Sequence, residues 1–312
     1  MLDFSNSKIL IVGDVMLDKY YFGKVDRISP EAPVPIVNIQ KEESRLGGAS
    51  NVANNIVSLG GHSLLCGVIG HDLFGKEIER ISRHKNIDTF LLKTSSPTIT
   101  KARIIGGKQQ IVRVDYEDKS ELNADNKKLF RDTISRILPG YDILVISDYG
   151  KGLISEDLCR YLIKLAHKYD KKVIIDPKGK NWEKYSGADI VTPNVKELSD
   201  IVGYTVPNTD RAIEKAAREA ITNNHLTALL VTRSDKGMSL IGPIPPIHIP
   251  THSEEVFDVS GAGDTVVATL GLCLAAGFEI SEAMRTANIA AGIVVKKVGT
   301  ATLTIEELVQ QK

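Results

Sequence analysis

The sequence predicts an α/β fold in which helices cover both faces of a mostly parallel central sheet. One observation is a set of short β-branched runs typical of buried parallel strands, at residues 9–12, 143–146, 173–175, 190–191 and 229–231. Another is a set of segments with helical spacing of apolar residues, at 51–59, 74–82, 126–138, 156–168, 196–202 and 211–223. Strands that alternate with helices in this way are typical of a sheet covered on both sides.

Two segments interrupt this alternation and predict a small antiparallel sheet. Residues 20–40 and 98–115 interleave polar with apolar side chains, as strands with one solvated face do. We expect them to form a β-lid over a ligand site, with lid segments at about 15–40 and 95–116. A pair of ordinary edge hairpins is the alternative. Because no low-complexity linker or internal repeat divides the chain, residues 1–312 are expected to form one domain.

Composition limits the possible classes of function. The 312 residues carry 39 Lys and Arg against 39 Asp and Glu, whereas a nucleic-acid-binding protein usually shows a basic excess. No apolar run approaches the roughly 18 residues of a membrane span, and no secretion signal is recognisable. Cys66, Cys159 and Cys273 lie far apart among apolar residues and predict buried thiols, and the seven histidines form no metal-binding cluster. We therefore expect a cytoplasmic protein with small-molecule partners that binds neither nucleic acid nor membranes.

Residues 258–264, Asp-Val-Ser-Gly-Ala-Gly-Asp, form the most informative motif, and a small-residue apolar segment follows them directly. Exposed N–H groups at the start of a helix, together with the helix dipole, favour an anion. A carboxylate at Asp264, in the first helical turn, is placed to take a proton from a hydroxyl beside that anion. This combination indicates phosphoryl transfer to an alcohol. The structural alternative is a tight turn in which Asp264 only caps a helix.

Polar residues that follow the predicted strands are the next candidates, because ligands of open α/β sheets bind beyond the carboxyl ends of the strands. Asp14 and Asp18 offer carboxylates that accept protons from sugar hydroxyls, although either side chain could simply close a turn. Gly47-Gly48-Ala-Ser-Asn51 precedes a predicted helix, where glycine permits close backbone approach and Asn51 offers both a donor and an acceptor. A helix cap is the alternative for this second motif.

Two further motifs point to a nucleotide. Asn194 and Glu197 have the spacing of a capping box, and the competing role for the carboxylate is to organise Mg²⁺ and water near phosphate oxygens. Residues 231–237 end a strand in a polar turn that could support a nucleotide. The sequence contains no G-x-x-x-x-G-K-[ST] motif, and residues 9–18 lack G-x-G-x-x-G, so P-loop and dinucleotide-binding enzymes are disfavoured.

Several cations lie in or beside the expected lid and strand ends. Any one of them could be an ordinary solvated surface charge, but several near one opening would suit a substrate that already carries a phosphate. They are Lys101, Arg103, Arg113, Lys151 and Lys178.

Together these motifs resemble the ribokinase (PfkB-type) family of sugar kinases. Gly47-Gly-Ala-Ser-Asn51 is similar to the N-terminal G-G-x-x-x-N signature of that family. Residues 258–264 are similar to its C-terminal D-T-x-G-A-G-D signature, with Val259 in place of the usual threonine. The order and spacing of the two signatures, with Asn194 and Glu197 between them, extend the resemblance over nearly the whole chain. It implies a ribokinase-like fold and a kinase that uses ATP and Mg²⁺.

The resemblance also implies a role for each matching residue. Asp264 would be the base, and the N–H groups of Gly261, Ala262 and Gly263 would stabilise the transferring phosphoryl group. Sugar hydroxyls would be held by Asp14, Asp18, Gly47, Gly48, Asn51 and Asp148. The phosphate of the sugar would be bound by Arg103, Arg113 and Lys178. Metal and nucleotide would be bordered by Asn194, Glu197 (to Mg²⁺ through water), Thr232, Gly237 and Asn288. A monovalent cation such as K⁺ would lie near Asp258, Ser260 and Gly299, and pairing of two lids would give a homodimer.

Within that family the chain resembles the kinases of D-glycero-β-D-manno-heptose 7-phosphate. The matching segments are residues 13–20, 27–35, 97–101, 147–152, 176–179 and 230–234. This implies transfer of the γ-phosphoryl group of ATP to the anomeric 1-hydroxyl, which gives the 1,7-bisphosphate used in ADP-heptose and lipopolysaccharide core synthesis. Such kinases are often fused to an adenylyltransferase domain, and we expect only the kinase part here.

Three alternatives remain open at this point. Another sugar, sugar-phosphate or nucleoside kinase of the same family would share the catalytic residues and differ in its lid. A catalytically silent sugar-phosphate-binding protein would share the fold, although it would have no reason to keep both Asp264 and the glycines before it. A Rossmann dehydrogenase is disfavoured because its glycine fingerprint is absent.

Overall fold

Two β-sheets and the helices packed on them make up the structure, a computed structural model that describes residues 2–251 and 256–311. The strands are β1 Lys8–Gly13, β2 Val15–Ile28, β3 Pro35–Gly48, β4 His62–Gly70, β5 Asp88–Thr94, β6 Thr100–Gly106, β7 Gln109–Tyr116, β8 Ile143–Ser147, β9 Lys172–Asp176, β10 Ile190–Val191, β11 Leu229–Thr232, β12 Met238–Ile241 and β13 Ile247–Ile249. The α-helices are α1 Ala49–Ser58, α2 Leu73–His84, α3 Ala124–Ile137, α4 Glu156–Lys168, α5 Val195–Val202, α6 Asp210–Asn224, α7 Ala262–Ala275, α8 Ile280–Val294 and α9 Ile305–Gln311.

The central sheet has the strand order β13-β12-β11-β10-β9-β8-β1-β4-β5. Pairing is parallel from β5 through β11, and β12 and β13 extend that edge in antiparallel fashion. β1 lies between β4 and β8, so its carboxyl end lies inside the parallel part of the sheet. The prediction of a mostly parallel central sheet is confirmed.

Alternate residues of the central strands face two separate hydrophobic cores. Ile9 and Ile11 of β1 belong to a core that includes apolar residues of α1, α7 and α8. Leu10 and Val12 belong to a core that includes apolar residues of α3, α4 and α6. All four β1 side chains are fully buried. Helices therefore cover both faces of the sheet, as the continuous apolar strands require.

The small second sheet has the order β3-β2-β6-β7. β2 pairs with β3 and β6 with β7 in antiparallel fashion, which confirms the predicted small antiparallel sheet; the central β2–β6 pairing is parallel. β2 begins directly after the Asp14 turn, and β3 continues beyond residue 40 to Gly48, where α1 begins. The lid is therefore covalently continuous with both the end of β1 and the start of α1.

Other expectations from composition can be compared with the described residues. The three cysteines are buried free thiols, as predicted. Within residues 2–251 and 256–311, no helix is both long and apolar enough to cross a membrane.

Replacement of a central-sheet side chain tests this arrangement of cores. Leu144 of β8 is fully buried, whereas Leu129 of α3 is 47% exposed. We expect Leu144→Ala to lower the free energy of unfolding by about 2–5 kcal/mol, because it leaves a cavity in a packed core. Leu129→Ala should change it by less than about 0.5 kcal/mol. The midpoints of urea unfolding measure both, and equal shifts for the two variants would contradict the assigned core.

Candidate active site

The start of α7 lies against the start of α1 at the ligand-binding edge of the central sheet. Gly261 precedes α7 with φ of +79°, and a Cβ at this position would lie 2.8 Å from the Asn51 amide nitrogen. Glycine is therefore needed both for the left-handed backbone and for the close approach of the two helices. This contact brings the N-terminal and C-terminal glycine motifs together, although more than 200 residues separate them.

Asp264 lies buried in the first turn of α7, and a separate donor contacts each of its carboxylate oxygens. The Asn51 amide donates to Oδ2 at 2.7 Å, and the Tyr149 hydroxyl donates to Oδ1 at 2.8 Å. Burial raises the pKa of Asp264 to about 6, although these two hydrogen bonds act in the opposite direction. The group is therefore ionised near neutral pH and still basic enough to accept a proton.

The backbone amides before Asp264 are only partly available to an anion. Among the described residues, the N–H groups of Gly261 and Gly263 have no hydrogen-bond partner. The N–H of Ala262 instead donates to the carbonyl of Val259 at 3.2 Å. Two of the three predicted amide donors are thus free, and the third is used to close the turn. A phosphoryl group at this helix start would also gain from the helix dipole.

Asp14 follows β1 and is the second buried carboxylate of the site. Its Oδ2 accepts hydrogen bonds from the N–H groups of Tyr149, at 2.8 Å, and Lys151, at 3.1 Å. Its Oδ1 is buried and has no partner among the described residues. Asp14 lines a cavity of about 600 Å³, and burial together with the charge of Asp148 raises its pKa to about 6. A ligand hydroxyl would satisfy the unpaired oxygen.

Asp18 lies farther along β2 and is also buried. Its Oδ1 accepts a hydrogen bond from the Arg103 guanidinium at 2.5 Å. A Cβ at Gly47, on the paired strand, would lie 2.5 Å from Asp18 Oδ2, so only glycine leaves room for this carboxylate. Gly48 has φ of +56° at the transition from β3 into α1. The first glycine motif therefore shapes the site as well as ending a strand.

The lid cations do not all lie in the same environment. Arg113 is directly opposite Arg103 in the β6–β7 pairing, but it is exposed and forms an ion pair with Asp115. Lys101, two residues before Arg103, is half-buried, and its ammonium lies 5.6 Å from the centre of the Tyr149 ring. The positive charge of Lys101 also acts on Asp264.

Two of the predicted substrate-binding residues have other partners. Asp148 is buried: its Oδ1 accepts from the Gly150 N–H at 2.8 Å, and its Oδ2 accepts from the Tyr185 hydroxyl at 2.7 Å and from Lys184. The ammonium of Lys178 contacts Glu197 Oε1 at 2.8 Å. Neighbouring donors thus contact both oxygens of Asp148, and its role in holding the sugar stays a prediction. Lys178 belongs with Glu197 rather than with the lid cations.

Asn194 and Glu197 form the capping box that their spacing predicts. Asn194 Oδ1 accepts from the Glu197 N–H at 2.9 Å, and Glu197 Oε2 accepts from the Asn194 N–H at 3.1 Å. The carboxylate keeps lone pairs for a water molecule, since each oxygen can accept more than one hydrogen bond. Burial and the charges of Asp264 and Glu197 raise the pKa of Asp176 well above its usual range. The carboxylate oxygens of Glu197 are of the type that a hydrated Mg²⁺ prefers.

The predicted nucleotide-binding residues lie around the ends of β10 and β11. Thr232 forms an isolated parallel bridge with Asn194. Gly237 has φ of +77°, and a Cβ there would lie 2.0 Å from the Ile249 carbonyl oxygen. The Asn288 amide donates to the Pro250 carbonyl at 2.7 Å, so this side chain anchors the chain that follows β13. The same strand ends thus bring these residues to the side of the site that contains Glu197.

The three residues expected near a monovalent cation are joined by hydrogen bonds. Asp258 Oδ1 accepts from the Ser260 N–H at 2.9 Å, and Oδ2 accepts from the Gly299 N–H at 2.8 Å. Partial burial opposes ionisation of Asp258, but these hydrogen bonds outweigh it and lower the pKa. The carboxylate is therefore charged over the whole neutral range.

Sequence reasoning assigned no role to Tyr149 and named Lys101 only as one of several candidate cations. Asp176 is the last residue of β9, and its position at a strand end marks it as a candidate. Lys101 is one of the lid cations, but no local pattern distinguishes it from the exposed ones. Nothing in the sequence around Tyr149 shows that its hydroxyl meets a residue 115 positions away.

A buried carboxylate, free amides at a helix start and a second sheet beside them are suited to the chemistry of a sugar kinase, and comparison with known proteins agrees. The chain belongs to the pfkB family of carbohydrate kinases, whose family model matches residues 6–307. Its relatives include the bifunctional protein HldE of Haemophilus influenzae (strain PittEE), which is 46% identical over 98% of this chain and 63% of its own length. The bifunctional protein HldE of Vibrio vulnificus (strain YJ016) is 45% identical over 99% of this chain and 64% of its own length. The chain thus spans a little under two thirds of these curated relatives.

Solved structures share the fold at lower sequence identity. Phosphofructokinase-2 from Escherichia coli, in complex with potassium, has a TM-score of 0.81 at 21% identity, with 97% of each chain covered. Ribokinase from Arabidopsis thaliana, complexed with ribose and ATP, has a TM-score of 0.76 at 19% identity, with 98% of each chain covered. These similarities establish the ribokinase-like fold.

The raised pKa of Asp264 predicts how the sugar kinase activity depends on pH. As the pH falls through about 6, the carboxylate takes up a proton and can no longer act as a base. We expect kcat to fall about tenfold for each pH unit below that value, measured by ADP release at saturating substrate concentrations. Asp14 has a similar pKa, so the Asp14→Asn variant serves as the control. Its kcat should still fall as the pH is lowered through about 6. A rate that stays constant between pH 7 and pH 5 would contradict the assignment.

Proposed function

We propose that the chain phosphorylates the anomeric 1-hydroxyl of D-glycero-β-D-manno-heptose 7-phosphate with ATP. The observation that carries the catalytic part is the buried Asp264, held by Asn51 and Tyr149 beside two free amides at the start of α7. The 1-hydroxyl gives its proton to Asp264, and its oxygen attacks the γ-phosphorus. The bond between the γ-phosphorus and the bridging oxygen breaks, and ADP leaves with that oxygen. The amides of Gly261 and Gly263 stabilise the negative charge on the transferring group.

The choice of sugar rests on sequence similarity. Six segments of the chain resemble heptose 7-phosphate kinases, and the identity to proteins named HldE is 46% over nearly the whole chain. Those relatives are named bifunctional, and the matched part is somewhat less than two thirds of their length. We infer that the chain carries one of their two activities, the kinase that precedes formation of ADP-heptose. The family match over residues 6–307 supports one kinase domain.

The sugar would bind between the end of β1 and the lid. Asp14 has an unpaired buried oxygen, and Asp18 lies beside Arg103 on the lid. These carboxylates would accept hydrogen bonds from hydroxyls of the sugar, next to the glycine motif at Gly47, Gly48 and Asn51. Arg103 is the better placed of the two predicted arginines for the 7-phosphate, because Arg113 is exposed and paired with Asp115.

ATP would lie along the ends of β10 and β11, beside Thr232, Gly237 and Asn288. When bound, Mg²⁺ supplies positive charge at the phosphate oxygens, and Glu197 with Asn194 would hold it through water. This chain's own part is to orient the phosphates at the start of α7 and to exclude water with the lid, which suppresses ATP hydrolysis.

A monovalent cation is a further part of the proposal. The charged Asp258, tied to Ser260 and Gly299, lies just before the glycines of the anion site. A structural neighbour, phosphofructokinase-2 from Escherichia coli, was solved in complex with potassium. We therefore propose K⁺ near these three residues, where it would strengthen the positive potential at the free amides.

The lid sheet also supports a homodimer. Its strands expose apolar side chains that include Ile28 at 62%, Ile39 at 40% and Val112 at 44%. Contiguous exposed apolar surface on a sheet marks an interaction site, and a second copy of the same lid would cover it. ATP and a sugar phosphate as substrates fit a cytoplasmic location.

A panel of acceptors tests the substrate assignment. ADP release is measured with ATP and Mg²⁺. We expect kcat/KM for heptose 7-phosphate to be at least about 100-fold higher than for fructose 6-phosphate or ribose. A site built for particular hydroxyls and a phosphate rejects analogues that leave its own polar groups unpaired. Phosphorus NMR of the product should give a new anomeric phosphate signal. Preference for another sugar would overturn the heptose assignment and leave the kinase assignment intact, whereas binding of the sugar without ADP release would overturn both.

Replacement of the base tests the chemical step. We expect Asp264→Asn to keep the fold and the binding of ATP and sugar but to lower kcat by about 10²–10⁴-fold, because general-base assistance is lost. Asp125→Asn, an acidic residue in the first turn of α3, is the matched control and should retain full turnover. Turnover of Asp264→Asn close to that of the unmodified enzyme would remove Asp264 from the mechanism.

A further inference from the structure

Tyr149 is held in place by three different parts of the fold. Its backbone N–H donates to Asp14 Oδ2 at the end of β1. Its ring lies 5.6 Å from the ammonium of Lys101 on the lid strand β6. Its hydroxyl donates to Asp264 Oδ1 at the start of α7, at 2.8 Å. The loop after β8 therefore places one phenol between the sugar-binding edge, the lid and the base.

We propose that Tyr149 is a positioning residue for phosphoryl transfer, whose hydroxyl fixes the Asp264 carboxylate in the orientation needed to accept the substrate proton. This inference rests on the proposed role of Asp264 as the general base. A carboxylate offers about four lone-pair directions. Asn51 donates along one lone-pair direction of Oδ2, and Tyr149 donates along one of Oδ1. These two hydrogen bonds prevent rotation of the carboxylate and leave the remaining lone-pair directions for the sugar hydroxyl.

The phenol acts only as a donor in this arrangement. Burial and the neighbouring negative charge of Asp264 raise the pKa of Tyr149 well above its usual range, so it keeps its proton throughout the reaction. The proton released by the sugar goes to Asp264, and the proton of Tyr149 stays on its own oxygen. A hydrogen bond to an ionised acceptor is stronger than one between neutral groups, so the carboxylate form of Asp264 is favoured.

Charged groups from several elements face this pair. Asp18 on β2 and Asp176 at the end of β9 place negative charge near Tyr149, and Asp18 disfavours ionisation of Asp264. Lys101 on the lid favours ionisation of Asp264. Removal of the Tyr149 hydroxyl leaves all of these charges in place and deletes one hydrogen bond that stabilises the Asp264 anion.

Tyr149→Phe tests the proposal, because it keeps the ring beneath Lys101. We expect kcat to fall about 10- to 100-fold, in line with loss of one charge-assisted hydrogen bond to the base. The acid limb of the kcat profile should move up by about one pH unit. KM for ATP and for the sugar phosphate should stay within about threefold of the unmodified enzyme, since the interaction acts on the base rather than on ground-state binding.

Tyr141→Phe is the matched control. Tyr141 lies just before β8 and is half-buried, and its hydroxyl has no hydrogen-bond partner in the part of the chain that the structure covers. Its kcat and its pH profile should be unchanged. Thermal unfolding of both variants shows whether either substitution disturbs the fold.

A double variant separates a positioning role from a structural one. In an Asp264→Asn background, Tyr149→Phe should lower kcat by less than about twofold, because the carboxylate that it positions is absent. Equal losses in both backgrounds, or an acid limb that does not move, would overturn the role of Tyr149 while Asp264 stays the base. Near-normal turnover of Asp264→Asn alone would instead overturn the proposed function. A Tyr149→Phe variant that unfolds at the assay temperature would also contradict the proposal, since it would make the hydroxyl a structural element.

Discussion

The contact between the first turns of α1 and α7 is the constraint on which the site depends. Asn51 and Asp264 share a hydrogen bond, and Thr265, the next residue of α7, donates to Asn55, which lies one turn farther along α1. Gly261 permits this approach, because a larger residue would collide with the Asn51 amide. The two glycine motifs therefore form a single structural unit: one supplies the Asp264 carboxylate and the free amides, and the other holds that carboxylate in place.

The lid sheet is linked to the contact between α1 and α7 through the segments of chain that connect them. β2 leaves the Asp14 turn, and β3 ends at Gly48, where α1 begins. The lid strands are therefore connected directly to both the buried Asp14 carboxylate and the helix that carries Asn51. Lys101 and Arg103 on β6 add charge contacts from the lid to Tyr149 and Asp18. The same short segments of chain thus connect the lid to Asp14 and to the helix that holds Asp264.

The local pattern of apolar residues in the sequence was sufficient to predict most of the strands and helices. Predicted helices such as 156–168 coincide with α4, and the β-branched runs became β1, β8, β9, β10 and β11. Other elements had no clear pattern. β12 and β13 are three or four residues long and are separated by glycine and prolines. They become strands through the pairing of β12 with β11 and of β13 with β12. α8 is rich in small residues, which pack well against α7 but give a weak periodic signal.

Residue type and spacing along the chain were enough to predict the α/β fold of a carbohydrate kinase and to single out Asp264 and its glycines as candidates, because these depend on short motifs whose chemistry is local. The partners of each side chain depended on three-dimensional packing. Asp148 follows a strand as Asp14 does, yet Tyr185 and Lys184 reach its oxygens, whereas one oxygen of Asp14 stays unpaired within the described residues. Tyr149 meets Asp264 only because β8 and α7 place them side by side. Hydrogen bonds between distant segments are specified by the assembled layers, and no short stretch of sequence contains that information.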